Sequence, residues 1–197
     1  MNILVILAHP DKNSLNHAIA ATAVKTLERN GHTVWFHDLY GEGFDAIMPA
    51  GEFPRDASLP VDIERHCREL SEAEGIVIVH PNWWGQPPAI LKGWVDRVFR
   101  PDMAYEFLEG DDGEGIPKEL LKAETAVVFN TSNTPVDREY SEFGDPLETL
   151  WKNCIFAFSG VKIFQRRMFN LVVVSTEEQR KEWLQEVRDM ITKAFPG

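Results

Sequence analysis

NILVILAHPDKNSLN, residues 2–16, passes from an unbroken apolar run through a polar turn into the start of a helix. An apolar run with no polar alternation reads as a strand covered on both faces, as in parallel sheets. Beyond the turn at 9–14, Leu15, Ile19, Ala23 and Leu27 recur at four-residue spacing, which predicts a helix from Leu15 to Arg29. Asn30-Gly31 is its stop signal. A buried strand that feeds an amphipathic helix is the first half of a β-α-β unit.

The same alternation continues along the chain. Residues 33–37 (TVWFH) make a second short strand, and 39–60 is a long Gly-, Pro- and acid-containing excursion with short helical pieces. A helix at 61–73 precedes the third strand, 75–80 (GIVIVH). Then come a rigid turn at 81–88 and a helix at 89–99. Residues 101–118 read as an acidic loop, with the carboxylates of 106–114 solvated. The fourth strand is 125–130 (TAVVFN), followed by a polar loop at 131–145 and a helix at 146–158. Gly160 leads into a fifth strand starting at Val161, and 177–195 closes as a helix. There is no internal repeat and no low-complexity linker. Right-handed crossovers then give an α/β, doubly wound, five-stranded parallel sheet of flavodoxin-like order 2-1-3-4-5, in one domain over 1–197. Ligands of such sheets sit outside the carboxyl ends of the strands, so the loops after strands 1, 3 and 4 should share one site.

Composition narrows the function classes. With 197 residues, 44% hydrophobic and 26% charged, the chain can bury a core without staples. No run of about 18 apolar residues predicts a membrane span. The apolar start lacks a basic n-region and reads as a strand, not a signal peptide. Cys67 and Cys154 form no CxxC, which fits reduced thiols in the cytoplasm and no zinc site. A formal net charge of −11 argues against nucleic-acid binding. It does not exclude a local anion site at a helix N-terminus.

Two loops carry candidate chemistry. The first contains neither GxGxxG nor a Walker GK[ST]. Ser14 can cap the helix, Asn16 lies in its first turn, and His9 can add a donor. These suit a phosphate, although an ordinary helix cap uses the same residues. The third-strand loop reads PNWWGQPPAILKGWVDRV over 81–98. Its adjacent Trp83 and Trp84 suit the walls of a planar ring site. The alternative is that both indoles pack beneath the long loop. His17, His32, His37, His66 and His80 show no HExxH or paired ligand spacing and read as surface or structural, with no metal site.

The stretch 81–98 with Ala104-Tyr105, together with His9-Pro10, Ser14 and Asn16, resembles the NAD(P)H:quinone oxidoreductase family, which includes DT-diaphorase and shorter bacterial quinone reductases. The likeness is clearest from strand 1 through Tyr105. It implies bound FMN or FAD, NADPH or NADH as electron donor, and a homodimer to which the 89–98 helix contributes. It also implies that His9, Ser14 and Asn16 hold the flavin phosphate side and that Pro81, Asn82, Trp83, Trp84 and Gly85 line the ring. In the fourth-strand loop, Thr131, Ser132, Asn133 and Thr134 stand where the family has a Thr-Thr-Gly-Gly run facing the flavin. Tyr140 stands at a family tyrosine near the reacting ring, although no histidine follows it in 141–145. A half-buried loop tyrosine is the bland reading. The implied activity is a two-electron ping-pong transfer of hydride to a quinone or another flat acceptor, with loop N–H groups near 132–134 and the Tyr140 hydroxyl as donors to the ring. Two other readings remain: a flavodoxin-type electron carrier, and an accessory regulatory subunit of a potassium-efflux transporter.

Overall fold

The computed structural model describes residues 1–108, 110, 115 and 117–197. Within the stretch read as a solvated acidic loop, Glu109, Asp111, Asp112 and Glu114 lie outside the described residues.

Five parallel strands form the main sheet: β1 (Asn2–Leu7), β2 (Thr33–Asp38), β3 (Gly75–Pro81), β4 (Thr125–Thr131) and β5 (Ile163–Phe169). Their order across the sheet is 2-1-3-4-5, as the sequence pattern predicts. Every β3 residue is buried, and from β1 only Asn2 is not, which is why these segments carry no polar face.

Side chains alternate across the sheet into two cores. Leu4, Ile6, Ile76, Ile78 and Val128 pack with α2 (Val61–Glu72) and α3 (Ala89–Val98), and with Trp151 and Phe156. Ile3, Val5, Val77, Val79 and Phe129 pack on the opposite face with α1 (Leu15–Arg29) and with Trp183, Val187 and Ile191 of the last helix. Between these lie a short α4 (Val136–Ser141), within the stretch read as a polar loop, and α5 (Pro146–Glu148), which widens into a π-helical segment, Thr149–Ala157. The chain closes with α6 (Glu177–Ala194).

Two local expectations are corrected. Tyr105–Glu106 and Lys118–Glu119 pair as a small antiparallel ribbon inside the stretch read as loop. The fifth strand starts at Ile163 and not at Val161, because the Val161 N–H still closes the preceding helical turn on Phe156 O.

Register sets up the site. Pro81 and Thr131 are cross-strand neighbours at the carboxyl edge, and Thr131 pairs in turn with Phe169. The loops that follow β3, β4 and β5 therefore leave the sheet side by side.

Candidate active site

The loops after β1, β3 and β4 enclose two clefts that meet at Asn82. The first, about 410 Å³, is lined by His9, Ser14, Asn16, Pro81, Trp83 and Thr131, with Ser132, Asn133, Val172, Val173 and Arg180 at its far wall. The second, about 500 Å³, is lined by Trp84, Gly85, Thr134, Arg138, Glu139, Phe143 and Pro146. Asn82 belongs to both. All twelve residues expected to bind a cofactor thus face one cleft or the other.

Ser14 is the N-cap of α1, and its hydroxyl accepts the His17 N–H at 3.4 Å. The remaining N–H groups of the first turn have no helical partner by construction and point outward at the positive end of the helix. Asn16, 2% exposed, donates to Thr131 Oγ1 at 2.9 Å, while its Oδ1 has no protein partner. His9 Nδ1 lies within hydrogen-bond distance of both the Asp11 N–H (3.1 Å) and the Asp11 carbonyl (3.3 Å), and Nε2 is left without a protein partner among the described residues. Burial holds the His9 pKa below its ordinary value, and the Asp11 backbone pulls in the opposite direction. His9 also tilts against Trp83, ring centres 6.2 Å apart. An orphaned buried acceptor, an unpartnered imidazole nitrogen and a helix N-terminus make a polar pocket suited to a phosphate ester and its hydroxylated linker.

The β3 loop is a tight two-residue turn. Trp83 and Gln86 exchange backbone hydrogen bonds at 3.0 Å, and the central Trp84 and Gly85 have φ of +57° and +72°. Positive φ at both positions is the primed turn that suits a hairpin, and a bulky residue rarely adopts it. Here it leaves the Trp84 indole fully exposed over the second cleft. Asn82 braces this turn. Its Oδ1 accepts the Gly85 N–H at 3.0 Å, its N–H donates to Thr131 O at 2.7 Å, and its Nδ2 donates to Glu139 Oε1 at 3.0 Å.

The β4 loop differs from expectation in one respect. The Ser132 N–H donates to Phe169 O at 2.9 Å, and the Thr134 N–H to Ser132 Oγ at 3.0 Å. Those two backbone donors are therefore engaged within the protein and do not face a ligand. Lacking the glycines, the loop ties itself to the segment after β5, where Val173 N–H donates to Asn133 Oδ1. Tyr140 sits on α4, 58% exposed, and among the described residues lines neither cleft.

Beneath the site, His80 is fully buried. Trp151 Nε1 donates to its Nε2 at 2.9 Å, and an indole N–H can only donate. Nε2 is therefore the acceptor, and Nδ1–H donates to Pro81 O at 2.8 Å, fixing the carbonyl where the ring-lining loop begins. Burial pushes the His80 pKa down to about 4. Because the folded value lies below the ordinary 6.5, the unfolded chain takes up the proton first. Stability is then complete above about pH 6.5 and falls as the pH drops toward 4. His80 alone should remove about 2 kcal/mol between pH 7 and pH 5. Urea unfolding at both values, in the wild type and in His80→Gln, checks this: the variant should lose less by that amount. Equal losses would place the titrating group elsewhere.

A second histidine cluster lies away from the clefts. His37, Glu42 and His66 bring ligand-type atoms within 4.8 Å of one another, a proximity their spacing in the sequence does not reveal. Its hydrogen bonds are those of a clamp. Trp94 Nε1 donates to His66 Nδ1 at 3.1 Å, so His66 Nε2 carries the proton toward Glu42, and His37 lies between Glu42 and Glu69. Burial first, and then the neighbouring His37 and Arg65, push the His66 pKa down to about 3.

Residues 1–191 match the family of the flavodoxin-like fold. The chain belongs to this family. An NAD(P)H oxidoreductase of Haemophilus influenzae, uncharacterized by name, is 32% identical over 94% of this chain and 91% of its own length. The ribosyldihydronicotinamide dehydrogenase [quinone] of Rattus norvegicus is 28% identical over 95% and 91%. An FMN-dependent NADH-azoreductase from Bacillus anthracis, solved with FMN, has the same fold with a TM-score of 0.76 at 16% identity, covering 99% of this chain and 100% of that one. This flavodoxin-like chain thus falls in the oxidoreductase class of its relatives, the class its motifs imply.

Within the flavodoxin-like frame, the sequence reading overlooked Glu139, Arg138 and Phe143 in the second cleft and Val172, Val173 and Arg180 in the first. The one available signal was the run Val172–Val174, three β-branched residues beyond the end of a strand, two of them highly exposed.

Proposed function

We propose that residues 1–197 act as a single flavin-binding domain that carries out two-electron NAD(P)H:quinone oxidoreduction in alternating half-reactions. The observation that carries this is the pairing of the two clefts through Asn82: a polar, phosphate-suited pocket beside an aromatic one. When bound, FMN or FAD would accept hydride from NADPH or NADH and deliver two electrons to a quinone or similar flat acceptor. The names of the relatives, an NAD(P)H oxidoreductase and a ribosyldihydronicotinamide dehydrogenase [quinone], support a dihydronicotinamide donor and a quinone acceptor.

In this reading, Ser14, Asn16, His9 and the α1 N-terminus hold the phosphate side. Pro81, Asn82 and Trp83, with Thr131, Ser132 and Asn133, border the linker. Trp84, Gly85 and Thr134 take the ring end, and the exposed Trp84 face offers stacking to flat substrates. An electron carrier would not need so open an aromatic wall beside the ring.

A homodimer fits the remaining surface. Leu91, Trp94 and Val98 of α3 are buried within the subunit, which leaves Ile90, Val95 and Phe99 only partly covered. Absorbance with light scattering on the reconstituted protein should give one flavin per subunit and about twice 22.5 kDa. Neither FMN nor FAD bound would end this reading, and an active monomer would remove the dimer. No helix among the described residues is long and apolar enough to cross a membrane.

Tyr140 lines neither cleft as the side chain stands, so its part as an auxiliary donor requires it to swing toward the ring end. A donor in a well-organised site is worth about 2.7–4 kcal/mol. At 58% exposure Tyr140 is loosely held, so Tyr140→Phe should slow flavin reduction about tenfold, or about 1.4 kcal/mol. Flavin affinity should stay unchanged. Stopped-flow reduction by NADPH and NADH measures this, and an unaltered rate would leave Tyr140 a surface residue.

A further inference from the structure

Glu139 is a carboxylate in an unusual place. It is 1% exposed, yet it lines the second cleft beside Trp84. Its Oε1 accepts from Asn82 Nδ2 at 3.0 Å, while Oε2 is buried with no protein partner. Arg138, which lines the same cleft, pairs with Glu142 at 3.2 Å, and Arg166 pairs with Asp145 and Glu148. A carboxylate can only accept hydrogen bonds, and a buried acceptor left unpaired is destabilising. A donor that entered the cleft and reached this oxygen would satisfy it.

We infer that Glu139 Oε2 is the acceptor for the ring N–H of the bound flavin, and so the anchor that orients the isoalloxazine. The inference rests on the flavin reading above. Three features favour a flavin ring over other donors. The cleft is bordered by the exposed Trp84 and by Phe143, whose ring carries the Arg138 guanidinium at 5.4 Å, and this aromatic lining suits a flat heterocycle. It shares Asn82 with the phosphate-suited pocket. The isoalloxazine carries a single N–H, at N3, flanked by two carbonyls. Asn82 then has two jobs: it shapes the Trp84-Gly85 turn, and it holds Glu139 so that Oε2 stays free. The same carboxylate opposes the electron density that reduction adds to a neighbouring ring, so it should also lower the reduction potential.

Both consequences can be measured. FMN and FAD are each titrated against their N3-methylated forms, using wild type, Glu139→Met and Glu139→Gln, by flavin fluorescence. Charge-assisted hydrogen bonds are the strong class, and the wild type should prefer the N3–H flavin about tenfold or more. Glu139→Met removes the acceptor and should reduce that preference to within about twofold. Glu139→Gln keeps a carbonyl acceptor and should retain most of it. In Glu139→Gln the reduced flavin should gain about tenfold in affinity relative to the oxidised form, a rise of about 30 mV for a two-electron couple. Equal wild-type affinity for methylated and unmethylated flavin overturns the inference. So does tenfold discrimination that survives in Glu139→Met, or an unmoved potential in Glu139→Gln. If Glu139→Met does not fold, the wild-type comparison and the Gln potential still decide. Failure of the wild type to bind either flavin refutes the flavin reading itself, a result distinct from binding without discrimination.

Discussion

Ser14→Asp is expected to weaken FMN or FAD binding at least about 100-fold while leaving the fold intact. Asp is as good an N-cap as Ser, so the carboxylate can accept the His17 N–H that Ser14 Oγ now accepts. It also adds a negative charge at the mouth of the pocket assigned to the phosphate. Two like unit charges about 4 Å apart in an effective dielectric near 20 repel by about 4 kcal/mol. Salt screening reduces this at a partly open site. A 100-fold loss needs only about 2.7 kcal/mol. Riboflavin, which lacks the phosphate, supplies the control and should bind wild type and variant alike. Urea unfolding should give the same unfolding free energy within about 0.5 kcal/mol. Equal losses for riboflavin and FMN would mean that Ser14 does not face the phosphate. No loss for either would move the phosphate away from α1 altogether.

How far such a site could be read without coordinates depended on the type of signal. Residues 2–8 and 75–80 declare themselves because burial on both faces leaves no room for a polar residue, and the sheet order follows from the crossovers. Ser14 and Asn16 were legible because the α1 N-terminus is a local feature, within one turn of its cap. Trp83 and Trp84 stand out because paired indoles in a Pro/Gly turn at the carboxyl end of a buried strand are unusual as simple core, packing beneath the long loop being the alternative. Glu139 was not legible. It lies among Asp137, Arg138 and Glu142, and only the fold turns one of these inward against Asn82, 57 positions earlier. The β4 loop misled for a related reason: side chains standing in place of glycine recruited the N–H groups that glycines would have left open. Gly93 shows the reverse case. It was read as part of a motif, and the structure supplies its physical reason: a Cβ there would lie 2.2 Å from Ala46 O, so only glycine lets the 39–60 excursion lie on α3.

That same contact is held by a buried ion pair, whose removal should be the largest single loss of stability. Arg97 on α3 and Glu52 in the excursion are each 3% exposed. The guanidinium donates Nε to Glu52 Oε2 at 3.0 Å and Nη2 to the other carboxylate oxygen, while Nη1 reaches Asp45 O at 2.6 Å. Arg97→Met keeps much of the volume but strands the Glu52 charge in the interior. Breaking one half of such a pair typically costs about 3–5 kcal/mol. Arg100 eases this little, because it contacts the Glu52 carbonyl and not its carboxylate. Glu52→Leu in the Arg97→Met background should recover much of the loss, since replacing a buried pair by apolar groups is often near neutral. Urea unfolding of both single variants and the double variant measures the coupling. Additive losses would show that the two side chains act independently. Flavin affinity in the folded fraction should be unchanged, because neither Arg97 nor Glu52 lines either cleft. A parallel fall in affinity would instead mean that α3 transmits its anchoring to the Trp83-Trp84 turn at its amino end.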